Sequence, residues 1–217
     1  MTKAYRVVQD QARNYSYDAT KNAEEAAYLE SVLELTKPKE TYSQWHRLIA
    51  APFRYSLPVQ PAYQARFTPP YFDRNALYCS EKTETALHEH AYHFLKQRVH
   101  LKGAVAETGM RTIFSLSVDE ASVTDISNRP DIARITDRRD YSASHAYIQG
   151  NPKIEAIKYP SCRDPKRQPN FAILDINLLG KKIGNERTMS IYFDPAQQLI
   201  RWFEDGHNLD IGWKTVA

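Results

Sequence analysis

The sequence has few of the residues on which many function classes depend. Among its 217 residues there are only 7 glycines and 2 cysteines, Cys79 and Cys162. Two cysteines exclude a disulfide-rich scaffold, and neither of the glycine-rich phosphate loops, GxxxxGK[ST] and GxGxxG, occurs. No apolar run approaches the ~20 residues that a membrane helix needs. The polar start of the chain, MTKAYRVVQDQARN, is unlike a secretory signal, so we expect a reducing, cytoplasmic location.

The sequence also lacks the strong positive charge of proteins that wrap nucleic acid. Its formal net charge is only +3 at pH 7, whereas nucleic-acid binders cluster basic residues along one face. Basic residues do gather at 134–139 and at 163–167, and for the first group solvated loops are the simpler interpretation. We therefore expect no direct contact with nucleic acid and none with a membrane. Tyrosine, in contrast, is abundant at 14 residues, which suits a ligand cleft that both stacks and hydrogen-bonds.

Patterns typical of strands dominate, with helices inserted between them, which predicts the α+β class. Helices are predicted over 22–36, capped by Asn22, over 80–101, capped by Ser80, and within 130–137 and 142–151. Strands are predicted at 46–56 (a strand pair or one strand bent at Pro52), 76–80, 111–118, 122–127, 154–161 and 171–177, with a hairpin from 187–193 to 199–205.

Two regions are predicted. Residues 1–40 form an N-terminal accessory segment whose one helix packs on the main domain, and residues 41–217 form that main domain. The first 15 residues are polar, so we expect them to be poorly ordered or draped over that domain. Residues 57–75 contain four prolines and are predicted to be a long loop, a type of segment that is often functional.

Polar residues that suit an anionic, sugar-containing ligand come from separate segments. Arg54 and Arg66 lie on or beside apolar runs, Tyr78 ends a short strand, and Glu89 lies on the helix that follows. Ser161 occupies a tight turn in KYPSCRD. Two arginines can clamp a pyrophosphate because guanidinium binds phosphate bidentately, although arginines paired with buried carboxylates are an alternative. Glu89 lies on the polar face of its helix, where either a solvated residue or one lining a wet cleft would lie.

The histidine-rich stretch LHEHAYH does not match a zinc-binding helix. That motif needs a second histidine four residues after the first, and the residue four after His88 is Tyr92. His90 and His93 share a helix face without an evident third ligand, so no metal is expected. Neither cysteine has a base at a recognisable spacing, which favours small buried cysteines over a nucleophile.

Three motifs, in order along the chain, resemble the RES domain, a family named for its arginine, glutamate and serine. PFRYS followed by ARF resembles the family's two arginine strands, and ALYCSEKTETALHEHAYH resembles its tyrosine strand running into a helix of the form TALxE. IKYPSCRDPKRQPNFAILD resembles its serine turn, basic loop, asparagine and apolar strand. The resemblance covers about residues 46–175 and extends more loosely to 205. The matching residues are the arginines Arg54 and Arg66 (with Arg47 as an alternative first arginine), Tyr78, Glu89 and Ser161.

The resemblance implies a fold like that of ADP-ribosyltransferases, with split antiparallel sheets around an NAD cleft and inserted helices. It implies an NAD-degrading toxin of a bacterial RES–Xre type toxin–antitoxin pair, which cleaves the nicotinamide–ribose bond by hydrolysis or phosphorolysis. NAD is then the substrate, no metal is needed, and a helix-turn-helix antitoxin is the expected partner. Two alternatives stay open: ADP-ribosyl transfer to a macromolecule, and a nucleotide-binding module without turnover.

The resemblance also assigns roles to the matching residues. Catalysis is carried by Glu89, Arg66, Tyr78 and Ser161, and NAD is bound by Arg54, Arg66, Tyr78 and Ser161. In these roles the arginines hold the pyrophosphate, and Glu89 stabilises the oxocarbenium-like transition state or holds a ribose hydroxyl. Ser161 would bond a phosphate or the nicotinamide amide.

Overall fold

A large, mostly antiparallel sheet is the centre of the protein. The computed structural model describes residues 1–10, 20, 22–36, 42–101, 103–204 and 207–217. The strands are β1 (Thr2–Gln9), β2 (Leu77–Ser80), β3 (Glu107–Val118), β4 (Val123–Asp125), β5 (Ala156–Pro160), β6 (Pro169–Ile173), β7 (Gly184–Asp194), β8 (Leu199–Glu204) and β9 (His207–Gly212). Their order is β4-β5-β6-β2-β1-β3-β7-β8-β9, and only the edge pair β4–β5 is parallel. The mixed class predicted from the sequence is confirmed.

Helices lie between these strands along the chain. They are α1 (Ala23–Thr36), α2 (Arg47–Ala50), α3 (Thr83–Lys96), α4 (Ile132–Ile135), α5 (Ser142–Gln149) and α6 (Trp213–Val216). The predicted cap of α1 is confirmed, because Asn22 Oδ1 accepts the backbone N–H of Glu25 at 2.9 Å. Within the described residues, no helix is both long and apolar enough to cross a membrane.

Two local predictions are wrong. Residues 46–56, predicted as a bent strand, form α2 and a 3₁₀ turn over Ala51–Arg54. Short apolar runs fit a buried helical turn as well as a strand, and Pro52 is tolerated because it lies in the first turn. Ser80 does not cap α3; it belongs to β2, and the residue at the cap position is Lys82.

The N-terminal strand is the largest departure from the sequence-based prediction. β1 pairs with β3 over eight residues and lies in the middle of the sheet, where Ala4 is completely buried. Residues 2–9, expected to lie outside the domain, are therefore part of its core. The alternation of buried and exposed residues that indicates a strand is weak in β1, because its side chains other than Ala4 are only half-buried or exposed. Residues 11–19, 21 and 37–40 of the predicted accessory segment lie outside the described residues.

Apolar clusters cover the sheet. In β3, Phe114 packs into one cluster and its neighbour Ile113 into another, because successive side chains point to opposite faces of a strand. The cluster that contains Ile113 also holds the predicted core face of α3, including Leu87, Ala91 and Leu95. This packing fixes α3 against the sheet, so the opposite side of the helix can serve as one wall of a cavity.

The two halves of the sheet are joined weakly at β1 and β2. A single residue pair, Tyr5 and Ser80, connects these two strands. Beyond it the strands diverge, and Arg6 and Tyr78 line a cavity between them. The resemblance predicted two split sheets. The described strands instead form one hydrogen-bonded sheet of nine strands, whose two halves are joined at this pair.

Candidate active site

A cavity of about 690 Å³ opens where β1 and β2 diverge, a volume typical of sites for nucleotide-sized ligands. Its walls come from β1, β2, α3, the loop around residue 65 and the turn after β5. Four cations and one carboxylate line it: Arg6, Arg66, Lys96, Arg163 and Glu89. Tyrosines supply much of the remaining surface: Tyr5, Tyr78, Tyr92, Tyr141 and Tyr159. A cavity with this lining suits an anionic molecule that contains rings.

Glu89 presents its two carboxylate oxygens to different environments. Oε1 accepts the hydroxyl of Ser161 at 2.6 Å and the side-chain amide of Asn170 at 2.5 Å. No hydrogen bond to Oε2 is found among the described residues, and the half-buried side chain lines the cavity. The carboxylate is therefore held in one orientation by protein donors and keeps one oxygen for a ligand.

The hydroxyl of Ser161 has a defined direction. Its oxygen accepts the backbone N–H groups of Arg163 and Asp164 at 3.1 and 3.0 Å. Both lone pairs are thereby used, so the hydroxyl hydrogen is donated to Glu89. Ser161 is completely buried and does not line the cavity, and its predicted contact with a phosphate or the nicotinamide amide stays a prediction. Its geometry makes it a positioning residue for Glu89.

Asn170, on β6, is a site residue that the site prediction omitted. Ser80 Oγ donates to its Oδ1 at 2.6 Å, so its Nδ2 is the atom that donates to Glu89. The asparagine of the RES-like motif was a usable signal, but only the pairing of β2 with β6 brings Ser80 opposite Asn170.

Arg66 lies in the cavity as predicted and is anchored along one edge. Its Nη1 donates to the carbonyl of Ile135 at 2.8 Å, and its Nη2 to the sulfur of Cys162 at 3.0 Å. The guanidinium also lies 4.8 Å from the ring centre of Tyr141. These contacts use two of its five N–H donors and leave the others available to an anion. Cys162 and Cys79 are free and buried, as expected.

Arg6 lines the cavity together with Arg66 and Arg163, whereas Arg54 does not. Arg54 ends a 3₁₀ turn and does not line the cavity, and the alternative, Arg47, is exposed at the start of α2. Arg6 comes from β1; its Nη1 is buried and has no hydrogen-bond partner within the described residues. Burial lowers the pKa of this guanidinium. Because buried donors are nearly always satisfied, an anionic ligand is the natural acceptor for this group.

Two tyrosines, Tyr78 on β2 and Tyr159 on β5, also line the cavity. Tyr78 accepts the backbone N–H of Phe67 at 3.0 Å, and burial raises its pKa to about 12. Tyr159, a residue that the sequence did not single out, lines the cavity; burial, followed by the charge of Glu89, raises its pKa well above 10.0. Its hydroxyl has no hydrogen bond to any described residue. Both phenols stay protonated at neutral pH and can donate to a ligand.

The histidines of α3 are not arranged as a metal site. In the part of the chain that the structure describes, no group of three or more histidine, cysteine, aspartate or glutamate side chains could hold a metal. His90 accepts from Arg111 Nε at 3.2 Å, and burial, with the charge of Arg111, lowers its pKa to about 3. It is therefore neutral at physiological pH.

We expect Tyr78→Phe to destabilise the protein by about 1–3 kcal/mol at pH 7, because the buried N–H of Phe67 loses its acceptor. The variant should also lose less stability than the wild type as the pH is raised into the alkaline range. The folded-state pKa of Tyr78 is about 12 against an ordinary 10.0, so the stability from its protonated form is complete below pH 10.0 and is lost as pH rises to about 12. Urea unfolding from pH 8 to 11.5 tests both expectations; equal stability and an equal alkaline slope in the variant would contradict them.

Comparison with known proteins supports the resemblance seen in the sequence. The RES domain model matches residues 39–189 of the 217 in the chain, which is more than half of its length. The match includes Arg66, Tyr78, Glu89 and Ser161 but begins after Arg6. A comparison with curated proteins found no match. The family predicted from the three motifs is confirmed: the chain belongs to the RES domain family.

Proposed function

We propose that the protein degrades NAD by cleaving its nicotinamide–ribose bond and is the toxin of a bacterial toxin–antitoxin pair. Membership of the RES family is consistent with a toxin-like, NAD-related enzyme. The observation that carries the proposal is Glu89, with Oε1 held by two donors and Oε2 left for a ligand in a cavity rich in arginine. The diverging strands around this cavity also support a cleft like that of ADP-ribosyltransferases.

The arginines account for the pyrophosphate of NAD. Arg66 is oriented by Ile135 and Cys162, and Arg6 has a buried N–H group without a partner in the described part of the chain. Charge-assisted hydrogen bonds from two guanidinium groups would hold the two phosphates and so place the reacting sugar. Arg163 is less suited to this task, because both of its terminal nitrogens already bind backbone carbonyls, those of Val216 and Arg138.

Glu89 accounts for the chemistry. When the C1′–N bond breaks, its electron pair leaves on the nicotinamide nitrogen, so neutral nicotinamide departs and positive charge develops on the ribose. A fixed carboxylate oxygen beside the ribose stabilises that charge, or holds a ribose hydroxyl, without reorganising at the moment of reaction. An acceptor oxygen then bonds to C1′: a water oxygen, which releases one proton to solvent, or an anionic oxygen of phosphate. Neutral Tyr78 and Tyr159 can donate hydrogen bonds to the substrate.

Glu89→Gln tests the function most directly. The amide oxygen can still accept from Ser161 and Asn170, so the fold is kept while the negative charge is lost. We expect turnover of NAD to fall about 100-fold or more with little change in NAD affinity, because the charge acts in the transition state.

The assay follows nicotinamide release by the purified protein, with and without inorganic phosphate, and identifies the ribose product. Glu120→Gln, an exposed glutamate in a 3₁₀ turn, is the control. Turnover by Glu89→Gln within about twofold of the wild type would fit an ordinary surface glutamate and reject the assignment. Labelling of a macromolecule in place of free product would indicate ADP-ribosyl transfer.

Arg6→Gln and Arg54→Gln form a matched pair. The first removes a cation from the cavity wall, and the second removes one from outside it. We expect the KM for NAD to rise about tenfold or more in Arg6→Gln, the scale of one charge-assisted hydrogen bond. The KM of Arg54→Gln should stay within about twofold if it folds normally. The opposite pattern would restore Arg54 as the first motif arginine.

A free NAD-degrading enzyme would be toxic, so we also propose a helix-turn-helix antitoxin that covers the cavity entrance. The segment 55–71, which reaches the cavity at Gln64, exposes large apolar side chains, with exposed fractions of 67% at Tyr55, 49% at Leu57, 80% at Tyr63 and 70% at Tyr71. Apolar surface of this kind is typical of a protein interface.

The partner to test is a helix-turn-helix protein encoded beside this chain. We expect it to inhibit NAD turnover, and the double variant Tyr63→Ser, Tyr71→Ser to keep its turnover but lose at least about tenfold in affinity for the inhibitor, as for interface aromatic residues. Titration of the inhibitor against both proteins measures this. Normal growth of cells that contain the fully active protein alone would argue against such a partner.

A further inference from the structure

One face of α3 is attached to the turn over residues 161–166, which we name the serine turn. Side chains at positions 84, 85, 89 and 92 of the helix each contact this turn. Spacings of four and three residues place positions 85, 89 and 92 along one side of the helix, and position 84 lies beside them. The contacts are Lys166 with Glu84 at 2.9 Å, Asp164 with Thr85 at 2.7 Å, Ser161 with Glu89 at 2.6 Å, and Arg163 with the ring of Tyr92 at 3.4 Å. The proposed function uses only the third.

We propose that Thr85 and Asp164 are positioning residues that hold the serine turn so that Ser161 orients the carboxylate of Glu89. Neither side chain lines the cavity, and both are buried, with exposed fractions of 0% for Thr85 and 1% for Asp164. They act on the reaction through Ser161 and not by touching the substrate. The proposal rests on the catalytic function proposed for Glu89.

Asp164 connects the helix to the serine directly. Its Oδ2 accepts the hydroxyl of Thr85, its Oδ1 accepts the backbone N–H of Lys166 at 2.9 Å, and its own N–H donates to Ser161 Oγ at 3.0 Å. One residue therefore holds α3 with its side chain and the catalytic network with its backbone. Burial of a carboxylate costs free energy, and a well-packed apolar pair could replace such a group without loss of stability. Stability alone does not explain an aspartate here.

The spacing of Thr85 and Glu89 on α3 explains how the Thr85–Asp164 contact holds the serine turn. Thr85 and Glu89 are four residues apart, about one helical pitch of ~5.4 Å. The Thr85–Asp164 bond is thus a second hydrogen bond between α3 and the serine turn, and it limits pivoting of the turn about the Ser161–Glu89 bond. Arg163 holds the middle of the turn separately, through the ring of Tyr92 and the carbonyls of Val216 and Arg138. Without the Thr85 hydroxyl, the contact that remains between α3 and the end of the turn at Asp164 is the pair of Lys166 and Glu84, which is solvent-exposed and contributes little. A displacement of ~1 Å in such a constellation can cost about 100-fold in rate.

Thr85→Val and Thr85→Ser provide the kinetic test. Valine keeps the shape of threonine without its hydroxyl, whereas serine keeps the hydroxyl. We expect kcat for NAD to fall about tenfold or more in Thr85→Val with KM within about twofold, since the cavity wall is unchanged. Thr85→Ser should stay within about threefold of the wild type in both constants. Should valine prevent folding, Thr85→Ala gives the same comparison with serine.

Amide hydrogen exchange gives a test that does not need NAD. The N–H groups of Arg163 and Asp164 are bonded to Ser161 Oγ, so in Thr85→Val they should exchange about tenfold faster than in the wild type. The amide of Ile191, in β7 and distant along the sheet, is the control and should not change unless the whole fold is weakened.

The two tests separate the possible failures. Unchanged exchange at Arg163 and Asp164, or a kcat unaffected by Thr85→Val, overturns the positioning proposal. Uniformly faster exchange that includes Ile191, without rescue by serine, also overturns it in favour of a general structural role. Absence of NAD turnover in the wild type overturns the proposed function, while faster local exchange in Thr85→Val would still support the attachment of the serine turn.

Discussion

The pair of hydrogen bonds on Glu89 Oε1 is the constraint on which the site depends. The bond from Ser161 requires the serine turn after β5, and the bond from Asn170 requires β6 to lie beside β2. A carboxylate on a helix face would otherwise rotate freely in solvent. The two donors fix one oxygen and thereby fix the direction of the other, which is the preorganisation that electrostatic catalysis needs.

The sheet provides the space for this site by pairing poorly at its centre. β1 and β2 share one residue pair and then separate, so Arg6 and Tyr78 face a cavity and not each other's strand. A fully paired sheet would fill this position with backbone hydrogen bonds and leave no cleft. The continuous pairing of β1 with β3 and of β2 with β6 keeps the two walls rigid.

Burial strengthens the electrostatic interactions of the polar groups around the cavity, and it also costs free energy for each group that is not hydrogen-bonded. Arg66, Arg163 and Asp164 are almost completely buried, and each has hydrogen bonds that orient it. Arg6 differs, since one of its buried nitrogens has no partner among the described residues. Because this buried donor belongs to a residue that lines the cavity, it indicates the anion-binding part of the cavity better than net charge does.

Local sequence determined much of this protein by itself. The helices at 22–36 and 83–96, the hairpin after residue 184 and the RES family itself could be predicted, because periodicity, capping and short motifs act over neighbouring residues. The motifs also identified Arg66, Tyr78, Glu89 and Ser161. Tertiary structure decided the rest, because burial and partners depend on strands far apart in the chain. It placed Arg6 but not Arg54 in the lining of the cavity, put β1 in the middle of the sheet, and brought the hydroxyl of Ser161 to Glu89.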